Sequence, residues 1–217
     1  MINEHFISDH VKASDMDMLW SGGWRHFGSF FFRYSLAPNN RRLCHVTPLR
    51  IELADFELSR SQRRVLARNQ DLDVVIREAF IDSEKHDLFG RHRMRFKENV
   101  PDSLYDFMSK KAGSVPCRCE EICALDNGRL VAFSFLDIGA IATSAVYAAF
   151  EPEESKRSLG IFTMLCAIAH SRSLGRTYYY PGYAYREPSM YDYKKRFSGL
   201  QYFDWTAEWQ SFTHAEL

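Results

Sequence analysis

Between Arg25 and Arg68 the chain carries nine arginines (25, 33, 41, 42, 50, 60, 63, 64 and 68), no lysine, and three acids, Glu52, Asp55 and Glu57. The whole chain balances 28 Lys and Arg against 28 Asp and Glu, so this segment holds a local excess of six positive charges that the remainder offsets. A surface that needs only solubility mixes lysine with arginine, whereas a planar guanidinium grips phosphate or carboxylate with two parallel donors. At helical spacing Arg60, Arg63, Arg64 and Arg68 fall within about 140° of one another, opposite Val65 and Leu66. Such a face meets RNA phosphates or is the solvated side of a surface helix. The five cysteines are an odd number in a chain of 217 residues, too long to need disulfide staples, and reduced thiols are expected. Cys117, Cys119 and Cys123 lie in a segment that reads as a strand, where odd positions share a face by alternation, so no metal is expected there. Cys166 reads as core, in an apolar helical stretch.

With 46% hydrophobic and 15% aromatic residues the chain has enough apolar surface to offset the ordering entropy of folding, which excludes disorder as its main state. Its length suits one domain or two interlocked subdomains. No run approaches the roughly 18 apolar residues of a membrane span. The first twenty residues mix acids with His instead of forming a basic-then-apolar leader. A cytoplasmic protein with no membrane partner is expected.

The elements that must position these side chains follow from pattern and punctuation. A helix is expected over 14–22, capped by Ser14 and ended by Gly22-Gly23. Strands are expected over 27–34 and 50–56, separated by the turn Pro38-Asn39-Asn40. A helix over 59–69, a strand over 71–80 and helices over 83–95 and 102–112 follow. A β-meander then runs through 117–125, the turn Asp126-Asn127-Gly128, 129–137 and 140–150, Asn-Gly being favoured hairpin-turn chemistry. Pro152 ends the third strand. A helix over 159–174 stops at Gly175, followed by a short strand at 177–180 and a helix over 187–197.

Strand, strand, long strand, turn, helix, strand, helix resembles the order of the N-acetyltransferase-like (GNAT) fold, in which two central strands splay to open an acyl-donor cleft. The expected class is therefore α+β, a GNAT-like mixed sheet flanked by helices over 76–217, with a smaller N-terminal α/β subdomain over 1–75. At the strand-to-helix junction Arg157-Ser158-Leu159-Gly160-Ile161-Phe162 resembles the Arg/Gln-x-x-Gly-x-Gly/Ala turn with which such folds bind the pyrophosphate of coenzyme A. Unsatisfied N–H groups and the helix dipole favour an anion at such a turn. Phe162 replaces the small last residue and is expected to crowd a pyrophosphate, so coenzyme A is expected to bind poorly and no cofactor is assigned.

A longer set of segments lies in order over residues 19–205: Gly23-Trp24-Arg25 with Phe32-Arg33, Pro48-Leu49-Arg50, Ser59-Arg60-Ser61-Gln62-Arg63-Arg64 followed by Arg68-Asn69-Gln70-Asp71-Leu72, Arg91-His92, Ser144-Ala145-Val146-Tyr147, Arg157-Ser158-Leu159-Gly160, Gly182-Tyr183, and Tyr193-Lys194 with Phe197. Together they resemble the arginyl-tRNA–protein transferase family, most of all its bacterial aspartate/glutamate leucyltransferase branch. The resemblance implies an enzyme that moves an amino acid, Leu or Arg, from the 3′ ester of an aminoacyl-tRNA to the N-terminal amine of a protein, marking it for degradation. An ester is already activated, so aminolysis needs alignment, a free amine and oxyanion stabilisation more than an enzyme nucleophile, in keeping with the lack of a recognisable Ser-His-Asp or Cys-His arrangement. The chain departs from the family pattern in having one cysteine, Cys44, where a cluster is usual, in Pro181 and Pro188, and in Arg93-Met94-Arg95 where glycines are usual.

Placed on that resemblance, Tyr183 at a strand end protonates a leaving oxygen or packs with Tyr178, Tyr179, Tyr180 and Tyr185. Lys194 binds phosphate, polarises the ester or belongs to a solvated face, and His92 accepts the amine proton or is structural. Tyr147 and Asp137 are candidate polar lining on the central strands. Arg60, Arg63, Arg64 and the turn Arg157, Ser158, Leu159 and Gly160 are assigned to tRNA phosphates. Arg50 and Arg33 are assigned to an acidic acceptor N-terminus, the alternative for Arg50 being pairing with Glu52 or Asp55. An acetyl-coenzyme A enzyme of the same fold and a non-catalytic relative that binds tRNA or protein N-termini are the alternatives.

Overall fold

Ser59 starts a helix as its sequence directs: its hydroxyl accepts from the Gln62 N–H at 3.2 Å while the Gln62 side chain accepts from the Ser59 N–H at 2.9 Å, a reciprocal cap. The structure, a computed structural model, describes residues 1–39, 42–96, 100–206 and 208–212. Along it run β1 (Asn3–Ile7), α1 (Ala13–Ser21), β2 (Arg25–Phe27), β3 (Phe30–Tyr34), β4 (Leu36–Asn39), β5 (Arg42–Glu52), α2 (Arg60–Arg68), β6 (Asp73–Glu78) and α3 (Ser83–Arg93). They are followed by β7 (Cys119–Asp126), β8 (Arg129–Ile138), β9 (Ala142–Phe150), α4 (Leu159–Ser173), β10 (Tyr178–Tyr185), β11 (Leu200–Phe203) and β12 (Trp209–Ser211).

Strands β1, β3 and β2 make a small antiparallel sheet. The large sheet runs β12-β11-β5-β10-β9-β8-β7-β6, with β4 also on β5. Strand β5, from the first 75 residues, lies inside this sheet between β11 and β10. Every pairing is antiparallel except β9 with β10, which α4 joins as a crossover. This is the expected α+β class, a mixed sheet flanked by helices. Helices α2 and α4 cover one face, packing Val65, Leu159, Phe162, Leu165 and Ile168 on Leu49, Ile51, Val131 and Tyr179. On the other, α3 packs Leu88 and Phe89 against Phe133 and Phe135, and α1 packs Met16 and Trp20 with Phe31, Ala142 and Tyr180.

The turn at Asn127-Gly128 forms with positive φ at both residues (49° and 83°), and Gly175 closes α4 at φ 68°. Other boundaries move. The helix 13–21 is preceded by Lys12 without a side-chain cap, while the Ser14 hydroxyl turns to Asp15. The strand expected over 27–34 is a hairpin, broken at Gly28 (φ 53°), and the one expected over 50–56 is β5, over 42–52. Pro38 and Asn39 of the expected turn extend β4, whereas Asn40, like Arg41, lies outside the described residues. The helices expected over 102–112 and 187–197 are only 3-10 turns, Leu104–Asp106 and Asp192–Arg196. Side chains of Ser103, Asp106 and Ser109, and of Ser189 and Asp192, take up nearby backbone N–H groups and close tight turns in place of a helix.

A buried carboxylate joins α1 to the large sheet. Asp17, 9% exposed, accepts from the N–H groups of Ala140, Ile141 and Ala142 at 2.8, 2.9 and 3.1 Å, fastening α1 to the β8–β9 turn. Gly139 leaves the room: a Cβ there would strike Asp17 and Trp20. Asp17→Ala strands three donors, and urea unfolding should show a loss of about 2–4 kcal/mol. A loss below about 0.5 kcal/mol, the range of ordinary surface changes, would remove this contact from the list of what holds the molecule together.

Candidate active site

The parallel pairing of β10 with β9 lasts three residues, Tyr178 opposite Ala142, Tyr179 opposite Thr143 and Tyr180 opposite Ser144. Then Pro181, which has no N–H to give, and Gly182 at φ 95° turn β10 away, and its pairing with β5 shifts register between Tyr179 and Gly182. Into the gap reaches Arg25 from β2. Its guanidinium donates to the hydroxyl of Ser144, the last β9 residue paired with β10, and to the carbonyl of Ala145, the first beyond it. Arg25 is the candidate residue that the sequence does not single out. It was visible only as the first arginine of the lysine-free run and the last residue of Gly23-Trp24-Arg25.

Lys194 arrives from the 3-10 turn 192–196 and donates to the Tyr183 carbonyl at 3.0 Å. A Cβ on Gly182 would lie 3.4 Å from Lys194 Nζ and 3.7 Å from Arg25 Nη2, so two cations converge on a residue with no side chain. Burial, and then the charge of Arg25, pull the Lys194 ammonium down to about 7, and burial lowers Arg25 as well. No carboxylate lies within ion-pair distance of either among the described residues. Around them stand aromatic walls. The Tyr34 and Tyr183 rings meet edge-on at 5.5 Å, and Tyr147 stacks on Phe107 at 4.0 Å. Burial pushes the Tyr34 and Tyr193 hydroxyls up to about 12, and Tyr191 adds to both.

The remaining assigned residues divide clearly. Tyr183 joins the cleft wall, but its hydroxyl donates to the Gly23 carbonyl at 2.6 Å and burial holds it protonated. The Tyr147 hydroxyl is buried without a partner. His92 stands apart: 3% exposed, its Nδ1 lies 3.0 Å from the Phe150 carbonyl oxygen and 3.2 Å from the Phe150 N, and burial drops it to about 4, too weak a base for neutral pH. Arg157 grips both oxygens of Asp71, at 2.9 and 2.8 Å, and also Glu154. Ser158, at φ 56°, carries the left-handed turn into α4, and the Leu159 side chain is core. Gly160 serves packing, since a Cβ would lie 2.9 Å from the Phe150 ring. Phe162 points into the core at 5% exposure and does not crowd the turn, contrary to the expectation from sequence.

Arg60, Arg63 and Arg64 are exposed on α2 as the helical spacing required; Arg63 donates to the Leu58 carbonyl, and Arg60 and Arg64 have no ion pair among the described residues. Arg50 lies between the Tyr178 and Trp209 rings, 4.1 and 4.4 Å from their centres, and donates to Gln201 at 2.6 Å. Gln201 in turn donates to Glu52, so the alternative weighed for Arg50, pairing with Glu52 or Asp55, takes the form of a bridge through Gln201 to Glu52. Arg33 donates to Glu4 and the Gly22 carbonyl, and lines an open groove of about 490 Å³ with Met18, Phe203 and Trp205.

Cys119 and Cys123 share a buried face, as alternation predicts, whereas Cys117 precedes the strand and sits with His26 and Asp137. The donor atoms of these three lie within 4.8 Å of one another. His26 already bonds Asp137 through Nε2 at 2.6 Å and the Gly28 carbonyl through Nδ1 at 2.9 Å. Ligands around one ion sit about 3–4 Å apart at zinc-ligand distances, so the direct bond fits a buried polar tie better than a metal centre.

The family model described as arginine-tRNA-protein transferase, N terminus, matches residues 2–64, and the corresponding C-terminus model matches residues 83–204. An aspartate/glutamate leucyltransferase of Pseudomonas aeruginosa (strain LESB58) is 30% identical over 184 residues, 83% of this chain and 76% of the relative. That of Nitrobacter winogradskyi is 33% identical over 198 residues, 86% and 76% of the two chains. Among solved structures, that of FemX is 11% identical with a TM-score of 0.49, covering 87% of this chain and 65% of the other.

The state of His92 has a consequence for stability. Its imidazole titrates near 4 when folded and near 6.5 when free. Between those values the unfolded chain binds the extra proton, so its contribution is complete above pH 6.5 and is lost as pH falls toward 4. Urea unfolding should show wild type losing about 2 kcal/mol more than His92→Asn between pH 7 and pH 5. Equal losses in the two proteins would mean that His92 is not held neutral.

Proposed function

This chain belongs to the arginine-tRNA–protein transferase family, and we propose that it moves an amino acid, Leu or Arg, from the 3′ ester of an aminoacyl-tRNA to the N-terminal amine of a protein beginning with an acidic residue. The observation that carries this reading is the pair of cations, Arg25 and Lys194, with no carboxylate within ion-pair distance among the described residues, at the point where β9 and β10 part. Aminolysis of an ester generates a tetrahedral oxyanion and must shed a proton from the attacking ammonium. A guanidinium has five donors, and Arg25 uses one on Ser144 and one on Ala145, which leaves others for the oxyanion. Lys194, partly neutral near pH 7, accepts the proton of the acceptor ammonium. The freed amine attacks the ester carbonyl, and the intermediate collapses by expelling the ribose oxygen, which takes the proton back from Lys194. The neutral lysine then takes the remaining proton from the attacking nitrogen, leaving a neutral amide and alcohol, and passes it to solvent.

In this reading Tyr183 and Tyr147 wall the cleft, and His92 holds β9 through Phe150. Residues 1–75 bring Arg25 and Tyr34, and residues 76–217 bring the parted strands, Lys194 and the Tyr147 and Tyr183 walls. Arg33, in the groove beside Gly22, receives the acidic acceptor side chain, with Arg50 as the second candidate. Arg60, Arg63 and Arg64 face the tRNA backbone. Arg157 and the Ser158-Leu159-Gly160 turn follow on the same side through the Asn69 amide, which donates to the Arg157 carbonyl at 2.9 Å.

The test is transfer of labelled Leu and Arg from charged tRNA onto peptides beginning with Asp, Glu or Ala, with labelled acetyl-coenzyme A in parallel. Label should appear on the Asp and Glu peptides. The rate should rise through two limbs, one near pH 7 from Lys194 and one near pH 8 from the acceptor amine. Lys194→Arg should lose the first limb and at least about 100-fold in rate. Acetylation without aminoacyl transfer would replace this reading with the acetyltransferase one, and transfer to Ala peptides as fast as to Asp would remove the acidic acceptor.

A further inference from the structure

The hairpin of the small sheet puts alternate residues of β3 on one face. Phe30, Phe32 and Tyr34 stand in a row, with Phe27 and Arg25 of β2 and His5 of β1 beside them by register. Phe31, between them in sequence, faces the other way and is 1% exposed. The rings form an ordered series: Phe30 to Phe32 at 6.1 Å and 28°, Phe32 to Tyr34 at 5.7 Å and 14°. The series continues inward, from Tyr34 to Tyr183 at 5.5 Å and from Phe27 through Phe107 to the stacked Tyr147. At its outer end Phe30 is 44% and Phe27 36% exposed, although burying either would be favourable.

We infer that this face is a stacking platform for the unpaired 3′ nucleotides of RNA, leading them into the Arg25–Lys194 cleft; the assignment rests on the aminoacyl-tRNA reading above. Exposed aromatics at alternate positions of a small sheet are the surface on which single-stranded bases stack, because every base has a π-face and neighbouring cations hold its phosphates. The charge pattern singles out this occupant. No Asp or Glu stands on the face, Arg25 and Lys194 lie at its inner end, and Lys110 and Lys111, both exposed, follow Ser109, whose backbone N is 3.5 Å from the Cβ position of Gly28. An acidic or apolar peptide would match the rings without using the flanking cations. A paired acceptor stem would expose no base to them.

The experiment compares a labelled RNA hexanucleotide with a blunt RNA hairpin, titrated into full-length protein by fluorescence anisotropy. Phe30→Ala and Phe27→Ala should each weaken hexanucleotide binding by about 5- to 150-fold and leave the hairpin within about twofold, while Phe30→Tyr binds like wild type. Both positions are solvent-exposed, and thermal melting confirms that the variants fold. Wild-type affinity for the hexanucleotide in both Ala variants would overturn the platform and leave the transferase reading standing. So would unchanged RNA binding together with a lower mass by light scattering, which would make the face a contact between copies of this chain. If wild type binds neither RNA, the transferase reading falls and the platform falls with it.

Discussion

Everything in the cleft depends on a parallel pairing that stops after three residues. Parallel strands normally bury and satisfy each other's backbone groups, so a gap between two central strands exposes N–H and carbonyl groups that must find partners. Pro181 removes one donor on the β10 side, and Arg25 satisfies the Ala145 carbonyl and the Ser144 hydroxyl on the β9 side. The substitution of a guanidinium for a strand turns a structural deficit into a charged pocket. The small sheet that carries Arg25 is fixed in turn by α1, through Asp17 on the β8–β9 turn and Trp20 in the core beside Tyr180.

A cation in such a place is costly unless something shares its charge. Among the described residues no carboxylate lies within ion-pair distance of either; Tyr183 and Asp137 offset part of the cost for Arg25 through space. Burial first, and then the charge of Arg25, make the Lys194 ammonium hard to keep, so the lysine, the weaker base, gives way and approaches neutrality near pH 7. The arginine stays charged. One site thus holds a fixed cation suited to a developing oxyanion and an adjustable amine suited to proton transfer, the division of labour that ester aminolysis needs.

Much of the scaffold was legible in the sequence because local chemistry decides it. Ser59 with Gln62, Asn127-Gly128 and Gly175 each define a boundary within a few residues, and the structure keeps all three. Where distant contacts decide, the pattern misled. Strand β10 continues past Pro181 and Gly182 because β5 pairs with it again from Gly182 to Tyr185, and β5 begins eight residues earlier than its apolar run because β4 pairs with it. The site was half legible. Lys194 and Tyr183 stood out by type and position, but nothing local distinguishes Arg25 from eight other arginines, since its meaning lies in Ser144 and Ala145, more than a hundred residues away. His92 and Arg157 looked catalytic or phosphate-binding, and the structure shows their polar groups engaged with Phe150 and Asp71.

The coupling between the two cations can be read directly from the titration of Lys194, followed by NMR of lysine side chains labelled at the ε carbon, with Lys194→Arg identifying its signal. The arrangement requires a midpoint near 7 in wild type and a clear rise toward the ordinary lysine range in Arg25→Gln, where the neighbouring charge is gone. A wild-type midpoint near 10.5, or one that Arg25→Gln leaves unchanged, would contradict it.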